Sequence, residues 1–277
     1  MMPRLTALLC VLLWLAAPLR AHEYWIEPHA PIAGLNTPIE ADARVGQHFI
    51  GEALPWLPDT VARIAVLDSV GERPLSPLPG DMPMFRAQPR AGGPHILLLQ
   101  TRPERLVWET REKFVAFLKE KRLEAILARH EQRGLPPAGF AELYVRYAKA
   151  LIRRGLAPAK TPADRRAGLK LELVMLDDPF SLPAREGTLR IQLLWQGKPL
   201  AGADVQIFAS DRPHDARQPA TPRHARTNAE GIARVSVRAG WRYLVNAVHM
   251  HALPEGKNAV WISHWASLTF PVSQARQ

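Results

Sequence analysis

The chain has 277 residues, of which 47 % are hydrophobic, so it is long enough for about two domains and can fill a large core. There are 36 Lys and Arg against 26 Asp and Glu, which gives a formal net charge of +10. The 26 prolines and 8 tryptophans favour strands and turns over a helical bundle. The single cysteine excludes both a disulfide framework and a cysteine-based zinc site.

The first residues have the pattern of a secretory signal peptide. Arg4 precedes an apolar run from Leu5 to Leu19, which is too short for a membrane span. The small residue Ala21 predicts a signal peptide over residues 1–21, and cleavage after Ala17 is the alternative. No other stretch is long and apolar enough to cross a bilayer, so we expect an exported protein that is not integral to the membrane.

The region from residue 22 to residue 103 is predicted to be an N-terminal β region. Its short apolar stretches are separated by Pro and Gly, as is typical of strands joined by turns. These stretches are His22–Ile26, Ile39–Val45, Val61–Leu67 and His95–Leu99.

Residues 104–156 change character and predict an inserted helical hairpin. Apolar residues between Phe114 and Leu127 follow helical spacing, and the Gly and Pro residues of segment 134–137 end that helix. A second helix is predicted from Phe140 to Leu151, where apolar residues recur at offsets of three and four. Its basic residues are expected on a solvated face; they are Arg146, Lys149, Arg153 and Arg154.

Residues 168–272 are strand-rich again, after a linker that contains Pro and Ala. The order GKPLAGADVQIF, TNAEGIARVSV and GWRYLV over residues 189–248 resembles transthyretin-like and collagen-adhesin-B-like sandwich modules. This resemblance implies a fold and not a function. The predicted fold class is therefore mainly β, with two β-sandwich-like regions and an inserted helical hairpin.

The histidines supply the candidate chemistry. In a strand over residues 243–251, His249 and His251 share one face, and an H-x-H pair of this kind presents two imidazoles side by side to a transition metal. Their alternative is a surface pair near a strand end. His264 lies in the strand WISHWASLTF on the face predicted to be buried, where it is either a ligand or a hydrogen-bonded core residue.

Three further residues are candidates for the same chemistry: His22 as a member of the main ligand set, and His48 and Glu52 as weaker candidates. Cleavage after Ala21 would make His22 the first residue, whose α-amino group and imidazole Nδ1 can chelate one ion. In VGQHFIGE, His48 stands near Glu52, whose carboxylate could orient the imidazole. The single cysteine, Cys10, lies within the predicted signal peptide, so the expected donors are nitrogens.

The chain resembles a bacterial exported family described as periplasmic components of cobalt- or nickel-type uptake systems. The resemblance begins at HEYWIEP, continues through VGQHFIGEALP, KFVAFLKEKRLEAILARHEQRG, GKPLAGADVQIF and TNAEGIARVSV, and ends at WISHWASLTF. It implies a periplasmic metal-handling protein that serves a membrane transporter. By position, His22, His249 and His264 fall on the family's segments, whereas His251 has no match in the family pattern.

These observations predict a periplasmic binding protein for nickel, cobalt or copper, with ligands from His22, His249, His251 and His264. The first alternative is a non-catalytic interaction or scaffold module of the cell envelope. The second is a copper oxygenase with a histidine brace, although no nucleophile–base pair or paired carboxylates support an enzyme. Nucleic acid is not expected as a partner, because the basic residues have no interleaved aromatic side chains.

Overall fold

The computed structural model describes residues 22–156, 161–212, 217–254 and 258–273, and the predicted signal peptide lies outside these residues. Strands make up 51 % of the structure and helices 9 %, which confirms a mainly β fold. In chain order, the elements are β1 (Glu23–Pro28), β2 (Ile32–Ala33), β3 (Ile39–Gln47), β4 (Ile50–Leu54), β5 (Val61–Asp68), β6 (Gly71–Pro74), β7 (Phe85–Ala87), β8 (Gly93–Thr101), β9 (Glu104–Trp108), α1 (Arg111–Glu120), α2 (Ala125–Gln132), β10 (Phe140–Arg154), β11 (Leu171–Met175), β12 (Glu186–Trp195), β13 (Lys198–Pro199), β14 (Asp204–Ser210), β15 (Arg223–Arg226), β16 (Ile232–Arg238), β17 (Arg242–Ala252) and β18 (Trp261–Pro271).

The strands form three sheets, of which the largest lies in the middle. This middle sheet has ten strands in the order β15-β14-β17-β18-β10-β8-β5-β6, with β2 and β9 also paired to β10. One outer sheet consists of β1, β3, β4 and β7, and the other of β11, β12, β13 and β16. The predicted strands of both β regions are confirmed, and the middle sheet contains strands from each of them.

Both faces of the middle sheet are buried. One face packs on the sheet of β11, β12 and β16 through a core that includes Leu98, Val245, Leu268, Leu173, Ile191 and Val235. The other face packs on the sheet of β1 and β3 through a second core that includes Leu97, Ile152, Ile26 and Ile39. Beside this second core, the same face is covered by α1 and α2, whose Phe114, Phe117 and Ile126 pack with Trp265. The apolar surface buried in these cores is the main stabilising contribution to the three-layer arrangement.

The predicted second helix is wrong, because Phe140–Arg154 is the central strand β10. It runs parallel to β18 and antiparallel to β8 and β9. Tyr147 and Leu151 belong to the core on one face, and Ala148 and Ile152 to the core on the other. A strand that is buried on both faces needs apolar residues at consecutive positions, which can imitate helical spacing.

The first predicted helix is present as two short helices, α1 and α2. Thr110 caps α1 by accepting a hydrogen bond from the backbone N–H of Lys113, a typical start for a helix. The chain turns between the helices, where Arg122 adopts a positive φ of 53°. The insertion is therefore a helix pair followed by a strand, not a helical hairpin.

The prediction that the basic residues of β10 form a solvated face is also wrong. Lys149 is buried, and its Nζ lies 2.8 Å from Asp164 Oδ1 and 3.1 Å from Glu172 Oε1. Arg154 is buried as well, and its guanidinium donates to backbone carbonyls of Ala30, Thr37 and Pro38. These partners satisfy the buried charges, which would otherwise be strongly unfavourable.

The TNAEG turn requires its glycine. Gly231 has φ +69°, and a Cβ placed there would lie 2.7 Å from the carbonyl oxygen of Leu193. The backbone N–H of Leu193 also donates to the carbonyl oxygen of Gly231, so the turn before β16 is fixed against β12. Glycine is favoured at such a position because it has no Cβ.

Among the helices of the described residues, none has the length and apolar character that a membrane span requires.

Candidate functional site

The structure brings three of the predicted histidines together at one end of the core between the middle sheet and the β11–β12 sheet. His249 and His251 lie on the face of β17 that also carries Val245 and Ala247, as the two-residue periodicity predicts. In the antiparallel pairing of β17 with β18, His264 is the direct partner of His249.

The three imidazoles lie close to one another. The ring centroids of His249 and His251 are 6.0 Å apart, and those of His251 and His264 are 5.5 Å apart with nearly parallel rings. We refer to His249, His251 and His264 as the histidine cluster.

Trp195, at the end of β12, brings an aromatic ring from the facing sheet onto the histidine cluster. Its ring centroid lies 4.5 Å from that of His249, 5.6 Å from that of His251 and 4.7 Å from that of His264. The alternation of Leu189, Ile191 and Leu193 could have predicted this position, because Trp195 continues the same face of the strand.

Tyr147 contacts the cluster from β10. Its hydroxyl lies 3.0 Å from His264 Nδ1, within hydrogen-bond distance. Burial raises the pKa of Tyr147 to about 12, so the phenol is protonated at neutral pH. The helix predicted from Phe140 to Leu151 gives no register with β18, so the contact of Tyr147 with His264 could not be predicted from the sequence.

Burial favours the neutral imidazole of His264 and of His249. His264 is 1 % exposed, and burial, followed by the charge of Lys170, lowers its pKa to about 3. Burial, followed by the interaction with His251, also lowers the pKa of His249. Neutral imidazole has a free nitrogen lone pair, which is the form that binds metal ions.

Two nitrogens of the cluster are buried and have no hydrogen-bond partner among the described residues. They are Nε2 of His251 and Nε2 of His264. His251 Nδ1 lies 3.0 Å from the carbonyl oxygen of Ala252. Because a carbonyl only accepts, Nδ1 donates this hydrogen bond, and in the neutral tautomer the lone pair of His251 is on the unpartnered Nε2. Buried polar atoms in native proteins normally have partners, so these two atoms mark a place where a ligand would be stabilised.

The side chains are not already arranged as a coordination shell. Within the described ranges, no three His, Cys, Asp or Glu side chains are positioned to hold a metal ion together. Zinc–imidazole bonds are about 2.0–2.1 Å long, so an ion at this place would require the rings to turn toward it. His249 and His251 are half-buried and lie near the end of β17, where such movement is least restricted.

His22 lies on the other side of the middle sheet. It precedes Glu23, whose carboxylate accepts a hydrogen bond of 2.7 Å from Lys121 Nζ. Lys121 Nζ lies 5.3 Å from the ring of Trp265, which points to the opposite face of β18 from His264. The structure therefore does not bring His22 together with His264, as the sequence-based ligand set requires.

His48 and Glu52 are also remote from the histidine cluster. His48 is an exposed residue with φ +57° in the turn between β3 and β4, and its ring faces Phe208. Phe208 belongs to a core cluster on the opposite face of the middle sheet. Glu52 is exposed on β4.

A second polar cluster lies beneath the helices and was not predicted. Glu142 is buried; its carboxylate accepts a hydrogen bond of 2.8 Å from Trp108 Nε1 and another from the hydroxyl of Ser263. Trp265 Nε1 in turn donates to the Ser263 hydroxyl at 2.9 Å. Burial raises the pKa of Glu142 to about 7, and the two hydrogen bonds oppose this shift.

A family model described as a domain of unknown function (DUF4198) matches residues 19–251. The chain belongs to the DUF4198 family. This match includes His249 and His251 and ends before His264. The description says nothing about metal uptake. None of the curated proteins compared with the DUF4198 chain matches it.

Two solved structures are similar to this DUF4198 chain at a low level. The D0-D1 domain of Intimin is 9 % identical, with 89 % of this chain and 97 % of that chain covered and a TM-score of 0.20. Escherichia coli alpha-2-macroglobulin activated by porcine elastase is also 9 % identical, with 91 % of this chain and 20 % of that chain covered and a TM-score of 0.21.

Proposed function

We propose that the protein binds a divalent transition-metal ion at the histidine cluster and acts as a non-catalytic metal-binding protein of the periplasm. The observation that carries this proposal is the pair of buried, unpartnered Nε2 atoms on His251 and His264. His249 supplies a third imidazole within reach of both. Compared with the sequence-based ligand set, this proposal omits His22, which lies on the other face of the sheet.

The chemistry of the donors favours nickel, cobalt or copper in the divalent state. The cluster offers three imidazole nitrogens and no thiolate, and imidazole suits these ions. Tyr147 would hold the ring of His264 in place through Nδ1, the usual arrangement by which a neighbouring group orients a ligand imidazole. A membrane metal transporter is the partner that the sequence resemblance implies.

Equilibrium dialysis of the purified protein against Ni²⁺, Co²⁺ and Cu²⁺, with metal analysis, tests the proposal. We expect one bound ion per chain, and we expect His249→Ala and His251→Ala each to weaken binding by roughly tenfold or more. His29→Ala is the matched control, because this half-exposed histidine lies beside Glu40 and Asp42 in the outer sheet and not at the cluster.

Absence of stoichiometric binding, or binding that His249→Ala and His251→Ala leave unchanged, would refute the proposed site. The first of these results would favour the alternative of a scaffold module of the cell envelope, which the mainly β fold also fits. Circular dichroism of each variant separates loss of binding from loss of folding.

A further inference from the structure

A row of buried polar residues crosses the middle sheet on the face opposite the histidine cluster. Gln206 of β14 pairs with Asn246 of β17, and Asn246 pairs with Ser267 of β18. Thr269 lies two residues further along β18 and therefore on the same face. Each of these four residues is at most 4 % exposed. We refer to them as the polar row.

The carboxylate of Glu23, from β1 of the outer sheet, is connected to the polar row through Lys121. Lys121 Nζ donates a hydrogen bond of 2.7 Å to Glu23 Oε1 and another of 3.0 Å to Gln206 Oε1. It also lies 3.0 Å from Glu120 Oε1. Because an ammonium group has three N–H donors, these acceptors use all of them, and Lys121 has none left for the second carboxylate oxygen of Glu23.

Four side-chain atoms at this place are buried and have no hydrogen-bond partner among the described residues. They are Glu23 Oε2, Asn246 Nδ2, Ser267 Oγ and Thr269 Oγ1. Buried polar atoms in native proteins normally have partners, so four of them at one place indicate a position where a small polar molecule binds. The direct partners of Ser267 and Thr269 in β10 are Ala148 and Ala150, whose short side chains leave more room beside the polar row than larger residues would.

We infer that internal water binds at this place and links β1 of the outer sheet to the polar row of the middle sheet. A carboxylate oxygen only accepts hydrogen bonds, an amide nitrogen only donates them, and a hydroxyl group does both. Water donates and accepts at once, and an internal water molecule typically makes about three hydrogen bonds to groups that otherwise have no partner.

The charges at the polar row favour a neutral molecule over an ion. A cation would meet the Lys121 ammonium, which already lies 2.7 Å from the Glu23 carboxylate. An anion would face the Glu23 carboxylate itself. The inference is independent of the proposed metal site, which lies on the opposite face of β17.

Oxygen-17 magnetic relaxation dispersion, which counts the water molecules held inside a protein, tests the inference. Asn246→Leu fills a similar volume but removes the amide, so we expect it to hold about one internal water molecule fewer than wild type. Asn228→Leu, in an exposed turn, is the matched control and should hold the same number as wild type. Equal numbers for wild type and Asn246→Leu would overturn the inference.

Thermal unfolding of Ser267→Ala gives a second test, in which the sign of the change decides. If water binds the Ser267 hydroxyl, this substitution removes a hydrogen bond, and the melting temperature should fall by about 2–4 °C. If the buried hydroxyl has no partner, its removal is favourable, and a melting temperature that rises or stays the same would overturn the inference. Ser236→Ala, exposed on β16, is the matched control and should leave the melting temperature unchanged.

Discussion

Lys149 provides the sharpest test of how the middle sheet is joined to the β11–β12 sheet. Its ammonium group lies between two buried carboxylates, at 2.8 Å from Asp164 and 3.1 Å from Glu172. Replacement by Met keeps an unbranched side chain of similar length but removes the positive charge. Removing one partner of a buried ion pair typically costs about 3–5 kcal/mol, because the other charge is left uncompensated.

The remaining hydrogen bonds place the expected loss near the lower end of that range. The Asp164 carboxylate still accepts from the backbone N–H groups of Arg165 and Met175. The Glu172 carboxylate still accepts from three backbone N–H groups, those of Ala167, Gly168 and Leu169. We therefore expect Lys149→Met to lower the free energy of unfolding by about 3 kcal/mol at pH 7.

The loss should shrink in acid. Burial raises the pKa of Asp164, and the charge of Lys149 opposes that rise, so the variant's pKa is higher still. A carboxyl group whose pKa is higher in the folded than in the unfolded state stabilises the fold at low pH, where it is protonated. This stabilisation is lost as the pH rises through the folded-state pKa. Lys149→Met should therefore approach wild type as the pH falls toward 5.

Urea denaturation at pH 7 and pH 5, followed by tryptophan fluorescence, measures both effects. Lys113→Met is the matched control, because Lys113 forms an exposed pair with Glu109 and should change the unfolding midpoint much less. A loss below about 1 kcal/mol at pH 7 would show that the buried ion pair does not contribute as the structure indicates.

Three further predictions concern other parts of the molecule. Wild type should lose roughly 3 kcal/mol of stability as the pH rises through about 7, because the folded-state pKa of Glu142 is raised from 4.5 to about 7. Glu142→Gln should lack this contribution and keep only the pH dependence of other groups such as Asp164; urea titrations between pH 5 and pH 8 compare the two proteins, and parallel curves would contradict the buried carboxyl. Gly231→Ala should lower the melting temperature more than Gly134→Ala. Both glycines have positive φ, but only a Cβ at Gly231 would lie too close to another atom, at 2.7 Å from the carbonyl oxygen of Leu193. Tyr147→Phe should weaken nickel binding by about 10–100-fold in calorimetry, because His264 loses its orienting hydroxyl, and should also lower the melting temperature, because His264 Nδ1 is left buried without this partner; unchanged affinity would remove Tyr147 from the site.

The strands with one clear apolar face could be predicted from the sequence. The alternation of Leu189, Ile191 and Leu193 gave β12, and the two-residue period of β17 gave the shared face of His249 and His251. The prediction of β12 succeeds because one face of that strand is more polar than the other, so the period of two remains visible. For β17 the shared face follows from the two-residue spacing of its histidines alone, since both faces of that strand are largely buried.

The errors have a common physical cause, which is the burial of both faces of the middle sheet. In β10, apolar residues on both faces of the strand imitate the spacing of a helix. The same pattern wrongly predicts that Lys149 and Arg154 are exposed to solvent, whereas both are buried and paired with groups of the protein. Tyr147 and Trp195 were missed because their contact with the cluster depends on how distant strands pair and stack. Local periodicity contains no information about such pairing.

The position of β10 in the middle sheet also sets an order of events for the nascent chain. Tyr147 and His264 are separated by 117 residues in sequence yet lie within hydrogen-bond distance, on adjacent parallel strands. β10 therefore acquires this neighbour only after β18 has been synthesised, and long-range pairing of this kind forms slowly because a large loop must close first. The histidine cluster thus comes together only after β18 has been synthesised, and a product truncated before β18 lacks both His264 and the strand that joins β17 to β10.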